Sequence, residues 1–590
     1  MARSLLILSA LVWPALGWCQ VIPAERLTDW SGAGARTAFV AASSVDITDF
    51  GADPTGVTSC NSALQAAMAA LAGPGQVHFP PGLYLFSNTI VPPDSIILHG
   101  DADANGQPLA RLLLAAGEEQ DGIRISGSET VSPALLTLLP QQGQRFLLVD
   151  QPQLFQPGQL LRLEATDDAD LVTSSWSLGQ TGQLVEVTTV NGDTLHLARP
   201  MRRTYGTAPI VLTVSPRRQV HVRCLLLDRT TATTSQTCNI LMRYAQDCTV
   251  DGVRSERCNY AHINLFRTTC TTVRNSHFTQ GHSYGAGGKA YGVLVDYGSG
   301  DNLVLGNTFD QLRHALIIQA GANGNVFAYN RSENPFWSQF PFPSNAAGDL
   351  VMHGNYPYLN LFEGNVVQNI VIDNSHGING PYNTLFRNRA ELYGIFMSSA
   401  QASNFQNLIG NQVSYAGSTT YGLYNLQGTG HFAYGNQVHG DILPAGTGEP
   451  TWTTLWDHAF GPFYSVISSV PPIRTDNWQS TQPLIEAAYR WAALGRPSTC
   501  ADVEYDIGTG QEGSAPSRVV ASYYDPVGHR LVVTGPLDGT SAYRVMDILG
   551  RSVASGNLPP GGTSIALPPL PMGTYLLHME RSTQRFVLRH

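Results

Sequence analysis

The chain has 590 residues, of which 43% are hydrophobic, 13% charged and 58 glycine; this suits two or three domains of an extracellular β-rich protein and excludes a disordered one. A net charge of −10 and a pI near 5.9, with no basic stripe, exclude nucleic acid as the main partner. Lysine occurs once, at Lys289.

Residues 1–19 read as a secretory signal peptide, with Arg3, an apolar stretch from Leu5 to Val12, then Pro14 and small residues. The stretch is too short to span a bilayer, so no transmembrane segment is expected. Residues 20–129 follow as an N-terminal cap and first coils. Within them Val45-Asp46-Ile47-Thr48-Asp49-Phe50-Gly51-Ala52-Asp53-Pro54-Thr55-Gly56, a helix over 60–71, and Gly75-Gln76-Val77-His78-Phe79-Pro80-Pro81-Gly82-Leu83-Tyr84 resemble the opening of the pectate-lyase-like, rhamnogalacturonase/epimerase-type superfamily. The resemblance implies an all-β, right-handed parallel β-helix, a solenoid whose first coil is capped by this segment. It implies no single chemistry, because that superfamily includes lyases, hydrolases, epimerases and phage tailspikes.

Residues 130–215 alternate apolar and polar side chains (Leu160–Leu163, Leu184–Val187, Thr194–Leu197) around turns such as Asn191-Gly192-Asp193. They read as a small inserted antiparallel β subdomain. Over 216–445, seven asparagines (Asn275, Asn307, Asn330, Asn365, Asn388, Asn411 and Asn436) recur at intervals of 32, 23, 35, 23, 23 and 25, each after a short apolar run. That spacing predicts solenoid coils of short strands, with each buried amide stacked on its counterpart in the next coil. Helical repeats need longer amphipathic runs. Cys248 and Cys270, 22 residues apart, fall on adjacent coils and suit either a bridge or stacked buried thiols. With Cys60, Cys224, Cys238, Cys258 and Cys500, the mature chain has an odd number of cysteines, so one is left unpaired; no Cys/His metal spacing is present.

Residues 446–506 read as a C-terminal cap region with a helix over 482–494, and 507–517 as a linker rich in Gly, Ser and Pro. Over 518–590, Tyr524-Asp525-Pro526, Leu531-Val532-Val533, Tyr543-Arg544-Val545-Met546-Asp547-Ile548-Leu549-Gly550-Arg551, Gly573-Thr574-Tyr575 and Arg585-Phe586 are similar to the β-sandwich sorting domain of type IX secretion substrates. Asp525 and Arg585 stand where that family usually has Asn and Lys. The resemblance implies the type IX secretion machinery as a partner and a secreted or cell-surface location, and it leaves the chemistry to the solenoid.

Insertions leave the rungs of a solenoid alone and project as loops, so the long intervals mark the walls of a cleft at 281–289 and 334–343. The second loop carries Phe336 and Trp337, rings that suit either stacking on sugars or packing on their own coil. Between the loops the strand ends align Asp296, Gln319, His353 and Asp373 as one polar column at roughly 4.8 Å per rung. Counting from the asparagines instead sets His376 beside His353 and His314 beside Asp349. Both registers bring His353 close to the turn at 373–377.

This cluster suits uronate chemistry. A lyase must neutralise the substrate carboxylate, remove the C5 proton and help the 4-oxygen leave. Arg313 or Lys289 is the candidate neutraliser, His353 or His376 the base, and Tyr382 or Tyr393 the acid. Lys289 and Arg313 resemble the Lys/Arg pairs of alginate and chondroitin lyases of this fold, at a different place in the coil. Asp373, His314 and Asp349 complete the candidate catalytic set; Trp337, Phe336, Asp296, Tyr356, Tyr382, Arg389, Glu391 and Tyr393 are candidates for substrate binding.

A hydrolase would instead use two carboxylates, Asp349 with Asp373 or Glu363 with Glu391. A third reading is a non-catalytic glycan-binding surface β-helix. No cofactor is assigned from the sequence; Ca²⁺ is the candidate, since an Asp/Asn oxygen cage near Asp296, Asp373 and Asn374 would favour a Ca²⁺-assisted lyase. The expectation is an exported enzyme that degrades a polysaccharide, by β-elimination ahead of hydrolysis.

Overall fold

The computed structural model describes residues 22–36, 40–166, 171–285, 287–337, 348–398, 401–415, 417, 421–448, 455, 485, 487, 490–491, 495, 498–500, 521–525, 530–534, 541–547, 552–558, 564–568, 573–579 and 582–588. The expected signal at 1–19, the linker at 507–517, most of the helix expected over 482–494 and residues 338–343 of the second loop lie outside the described residues. The chain forms two compact units, 1–503 and 504–590.

The first unit is an all-β, right-handed parallel β-helix. Each coil contributes three short strands, as in Leu303–Leu305, Thr308–Asp310 and His314–Ile318. Each strand pairs in parallel with its counterpart one coil on, Val304 opposite Phe327, Phe309 opposite Ser332 and Ile317 opposite Val351. The first strands stack into a sheet of twelve. Alternate side chains of the third strands, Val293, Val295, Leu350, Met352, Ile370 and Ile372, fill the interior. Aromatic rings stack there as well, Phe278 on Phe309 at 5.3 Å and Phe327 on Phe362 at 5.1 Å.

The asparagines hold the corner between first and second strands. Asn330 Oδ1 accepts from both the backbone N–H and the side-chain amide of Asn307 (3.0 and 3.0 Å), and Asn365 serves Asn330 in the same way (3.1 and 2.8 Å). The chain of bonds runs on through Asn388 and Asn411 to Asn436. The preceding residue has a left-handed backbone, φ +61° at Gly306 and +63° at Gly364, which glycine adopts without strain. Asn275 sits at this left-handed position (φ +54°), and Ser276 supplies the rung, its N–H donating to Asn307 Oδ1 at 3.0 Å. The spacing therefore misplaced the first rung by one residue.

A second ladder enters the first strand. Asn302, Asn325, Asn360 and Asn383 each stand five residues before a rung of the first ladder and bond in series at 3.1, 3.0 and 3.2 Å.

The loops at 282–290 and 334–349 leave between the second and third strands, after His277–Gly281 and Arg331–Glu333. The insert leaves at the opposite edge of the third sheet, between Ile123–Ser126 and Val220–Arg223. It is a six-stranded antiparallel sheet with its own core of Leu147, Leu161, Leu163, Val185, Val187 and Leu195. Helix Asn61–Ala70 buries Ala63, Leu64 and Ala67 over the first coil, covering an apolar end that would otherwise be open. Cys224 is bonded to Cys500, while Cys248 and Cys270 are buried free thiols, as are Cys60, Cys238 and Cys258. Five cysteines rather than one therefore remain unpaired among the described residues.

In the second unit a sheet of Ala521–Asp525, Arg530–Thr534 and Ser564–Ala566 shares a core with a sheet of Ser552–Leu558, Ser541–Asp547, Gly573–Met579 and Ser582–Leu588. Leu531 and Ile565 from one sheet meet Val545, Leu558 and Leu577 from the other.

Asn330→Ala removes a fully buried amide that serves two neighbouring rungs. We expect a loss of about 2–4 kcal/mol, read from the urea unfolding midpoint of the full chain, because the partners left behind are buried and unsatisfied. A loss under about 0.5 kcal/mol would show that the ladder is not what holds the coils.

Candidate functional site

The outer face of the third sheet is the floor of a groove. Its strands end in a column: Arg243 lies opposite Phe266, Phe266 opposite Asp296, and Asp373 opposite Ser398. The pairings Val295–Ile318, Ile318–Met352 and Met352–Ile372 set Gln319 and His353 between them. Beside this column runs an apolar row of Leu294, Ile317, Val351, Val371 and Phe396. The strand register thus orders the column, yet the turn at 373–377 also returns His376 to His353, their rings 4.8 Å apart and nearly perpendicular. His314 falls opposite Gly348, its Nδ1 2.6 Å from that carbonyl, rather than beside Asp349.

His353 Nδ1 lies 2.5 Å from Asp373 Oδ2, close enough for the carboxylate to hold the ring. Asp373 also accepts from Ser375 N–H (2.9 Å), Ser375 Oγ (2.9 Å) and Ser398 Oγ (3.0 Å). Burial alone would raise its pKa, but His353 and these donors outweigh burial and hold the carboxyl below the usual range. His376, half-buried, is lowered by burial and by the neighbouring His353, so it is neutral at pH 7.

Arg313 is only 9% exposed; it donates to Gly285 O at 2.9 Å and places its guanidinium 5.2 Å from the Trp337 ring and 5.8 Å from Tyr291. His314 lies 5.5 Å from His353, and burial followed by the Arg313 charge keeps it neutral.

The other candidates lie apart from this cluster. Asp349 turns into the corner between strands, where it accepts from Ser332 Oγ at 2.6 Å and Gln368 N–H at 2.8 Å, and burial pushes it up to about 6. Arg389 and Glu391 form an ion-pair row with Arg331 and Glu333 on the second sheet. Glu363 accepts from Tyr329 at 2.7 Å and from the Leu455 N–H at 2.9 Å.

Tyr393 stacks on Tyr421 at 5.3 Å, Tyr382 lies under Arg26 at 5.4 Å, and Tyr356 packs beside Arg203 at 5.5 Å. Tyr393 packs against the apolar row on the same face, within strand Arg389–Ser398, with its ring turned to Tyr421. Phe336 meets Tyr284 edge-on at 4.8 Å, within the wall. Lys289 is half-exposed and pairs with no carboxylate among the described residues.

The oxygens proposed for Ca²⁺ do not fit a cage. Asp373 is committed to His353 and serines, Asn374 Oδ1 accepts from Ser403 and Asn379, and Asp296 is three rungs away. Among the described residues no group of three or more His, Cys, Asp or Glu could hold a metal ion. No chemical step is derived through one.

Sequence reasoning missed the opposite wall. Trp176 of the insert lies 5.9 Å from Tyr297 and 6.1 Å from His376, so it reaches over the column from the other edge. Tyr297 stacks on Phe266 at 4.3 Å. Its place next to Asp296 was a readable signal; no spacing links Trp176 to a strand end more than a hundred residues on.

Fold and groove together define a parallel β-helix protein with a walled, histidine-bearing face. Residues 44–112 match the family described as rhamnogalacturonase A/epimerase, pectate lyase-like. No curated protein matches the chain in sequence. Among solved structures it resembles the tailspike protein gp49 from Pseudomonas phage LKA1, with 15% identity over 62% of this chain and 64% of that one and a TM-score of 0.48. It therefore spans less than two thirds of that tailspike. It also resembles the A-module of the mannuronan C-5 epimerase AlgE4 from Azotobacter vinelandii (13% identity, 62% of this chain and 77% of that one, TM-score 0.34). A third likeness is to PfbA, a surface adhesin of Streptococcus pneumoniae (12%, 67% and 82%, TM-score 0.33).

Because Asp349 is raised to about 6, the folded chain keeps a proton that the unfolded chain has released. Its contribution to stability is full below the ordinary carboxylate value of about 3.9 and is lost as pH rises through 6. Asp349→Asn, which preserves the shape, should flatten the decline in unfolding midpoint between pH 4 and 6; an unchanged profile would contradict the assignment.

Proposed function

We propose that the chain is an exported enzyme that cleaves an acidic, uronate-containing polysaccharide by β-elimination. The observation that carries this is the pairing of a neutral, half-exposed His376 with a His353 fixed by the ionised Asp373, on the floor of a groove walled by aromatic rings. His376 takes the C5 proton of the uronate. The electron pair forms the C4–C5 double bond, the C4–O bond breaks, and the departing oxygen receives a proton from His353, whose imidazole Asp373 orients. The two histidines then return to their starting states through solvent, with no other reagent consumed. Arg313, clamped between Tyr291 and Trp337, neutralises the carboxylate and so lowers the cost of charge on C5.

Hydrolysis is the weaker reading, since the paired carboxylates it needs are spent elsewhere: Asp349 in a corner, Glu363 on Tyr329, Glu391 on arginines. A purely adhesive β-helix would not need a histidine pair beside an ionised carboxylate. The description of the family matched at 44–112 agrees with a polysaccharide substrate. The residues at 1–19 and the similarity of 518–590 to sorting domains support export through the type IX secretion machinery to the surface or medium. Deleting 518–590 should then leave the protein inside the outer membrane of an expressing type IX host; undiminished surface delivery would remove that part of the reading.

The mature chain, incubated with pectate, alginate and glycosaminoglycans, should generate the ultraviolet absorbance of an unsaturated uronate. His376→Ala and His353→Ala should each lower kcat/KM about a hundredfold or more. The acid limb of the kcat/KM profile should lie below the usual histidine value of about 6.5, because His376 stays deprotonated there. New reducing ends without the absorbance would replace elimination by hydrolysis, and full activity in both alanine variants would remove this site.

A further inference from the structure

Along the solenoid axis from His353 the column continues through Gln319, Asp296 and Phe266 to Arg243, four rungs away or roughly 19 Å at the usual strand spacing. Beside its far end lies a cavity of about 350 Å³ to which Arg243, Asn264, Phe266, Asp296 and Tyr297 all contribute. Three features of this cavity are not used by the chemistry at the histidines. Asp296 is 0% exposed, and although the Gln319 side chain approaches it, neither carboxyl oxygen makes a well-aligned hydrogen bond among the described residues. Asn264 is 5% exposed with its Oδ1 likewise unpartnered. Arg243 is exposed, pairs with no carboxylate among the described residues, and holds its guanidinium 5.0 Å from the Phe266 ring. Phe266 in turn stacks on Tyr297.

Buried polar atoms are nearly always satisfied, so two such side chains bordering one cavity point to a ligand that completes them. We propose that this cavity is a second sugar subsite, taking a uronate residue whose carboxylate meets Arg243, whose ring lies against Phe266 and Tyr297, and whose hydroxyls bond Asp296 and Asn264. The acidic nature of the sugar rests on the function proposed above; the position of the subsite does not.

The electrostatics of the cavity suit an anion. Burial, only partly offset by Gln319 and the Arg267 charge, raises Asp296 well above the carboxylate range and so favours its protonated form, which can both donate to and accept from sugar hydroxyls. Of the other two acids that line it, Asp121 is paired with Arg124 at 2.9 Å, and Glu119 is exposed. That leaves Arg243 as the unpaired cation on the aromatic side of the cavity. The groove accordingly binds a run of sugars laid along the axis, with cleavage at one end and an anchoring residue toward the N-terminal coils.

The test is calorimetric titration of the full mature chain carrying His376→Ala, so that no substrate is consumed. The probes are disaccharides and hexasaccharides of galacturonate, mannuronate and guluronate. One hexasaccharide should bind, and adding Arg243→Ala, a change at an exposed side chain, should weaken it about tenfold or more, as expected for a lost charge-assisted contact. Asp296→Asn, which keeps an uncharged donor, should bind like the parent, and Asp296→Leu should not. The matching disaccharide, too short to span the rungs, should discriminate little between parent and variants.

Hexasaccharide affinity unchanged by Arg243→Ala and Asp296→Leu, or no binding of any hexasaccharide, overturns the subsite. The two readings separate cleanly. A chain with Arg243-dependent binding whose unsubstituted form never produces the unsaturated product keeps the subsite and loses the lyase. A chain that cleaves with an affinity independent of Arg243 keeps the lyase and loses the subsite.

Discussion

The structure rests on the need to satisfy the backbone at each corner of a coil. A strand bonds its neighbours above and below along its length, but at a corner the N–H groups turn inward, away from solvent and partners. In each regular coil an asparagine amide fills that need, accepting from the rung before it and donating to a carbonyl, as Asn330 does with Asn307 and Val304. Two such ladders, one at each end of the first strand, fix the coil in rotation as well as in height. Because side chains alternate with a period of two, a slip of one residue would turn Asp296, His353 and Asp373 into the interior of the coil and Val295, Met352 and Ile372 onto its outer face. The column on the outer face therefore depends on bonds made at the opposite side of the coil.

How much of this was legible follows from the same physics. The asparagine spacing shows the coils because the corner demands one residue type whatever the loops do. It misleads at Asn275, where the left-handed position carries asparagine and the rung carries Ser276, since serine and asparagine can both accept at that corner. The earlier ladder at Asn302, Asn325, Asn360 and Asn383 keeps the same intervals and was equally available in the sequence.

Register on the third sheet could not be counted from the first. The loops leave between the second and third strands, so the ruler loses its zero there and set His314 against Asp349 when its neighbour is Gly348. Strand-end alignment, which counts within the third sheet, placed His353 beside Asp373 because it never crosses a loop. Trp176 was invisible for a different reason: it comes from an insert whose own core folds it, and only the folded insert brings it to His376.

Three aspartates show how the groove assigns protonation by placement alone. Asp373 gathers His353, Ser375 and Ser398 around it and stays ionised despite burial. Asp349, one coil earlier and turned into the corner, has a hydroxyl and a backbone N–H but no ion pair, and burial prevails. Asp296, on the same column as Asp373 but with only Gln319 and the Arg267 charge to oppose burial, is raised well above the carboxylate range. Charge is thus concentrated at Asp373, beside His353, and disfavoured at Asp349 and Asp296. The arginines follow the same division. Those on the second sheet are tied to Glu333 and Glu391, whereas Arg313 and Arg243 meet aromatic rings and keep their charge for what enters the groove. An aromatic partner desolvates a guanidinium without neutralising it, so a carboxylate arriving there meets a stronger field than it would beside an ion pair.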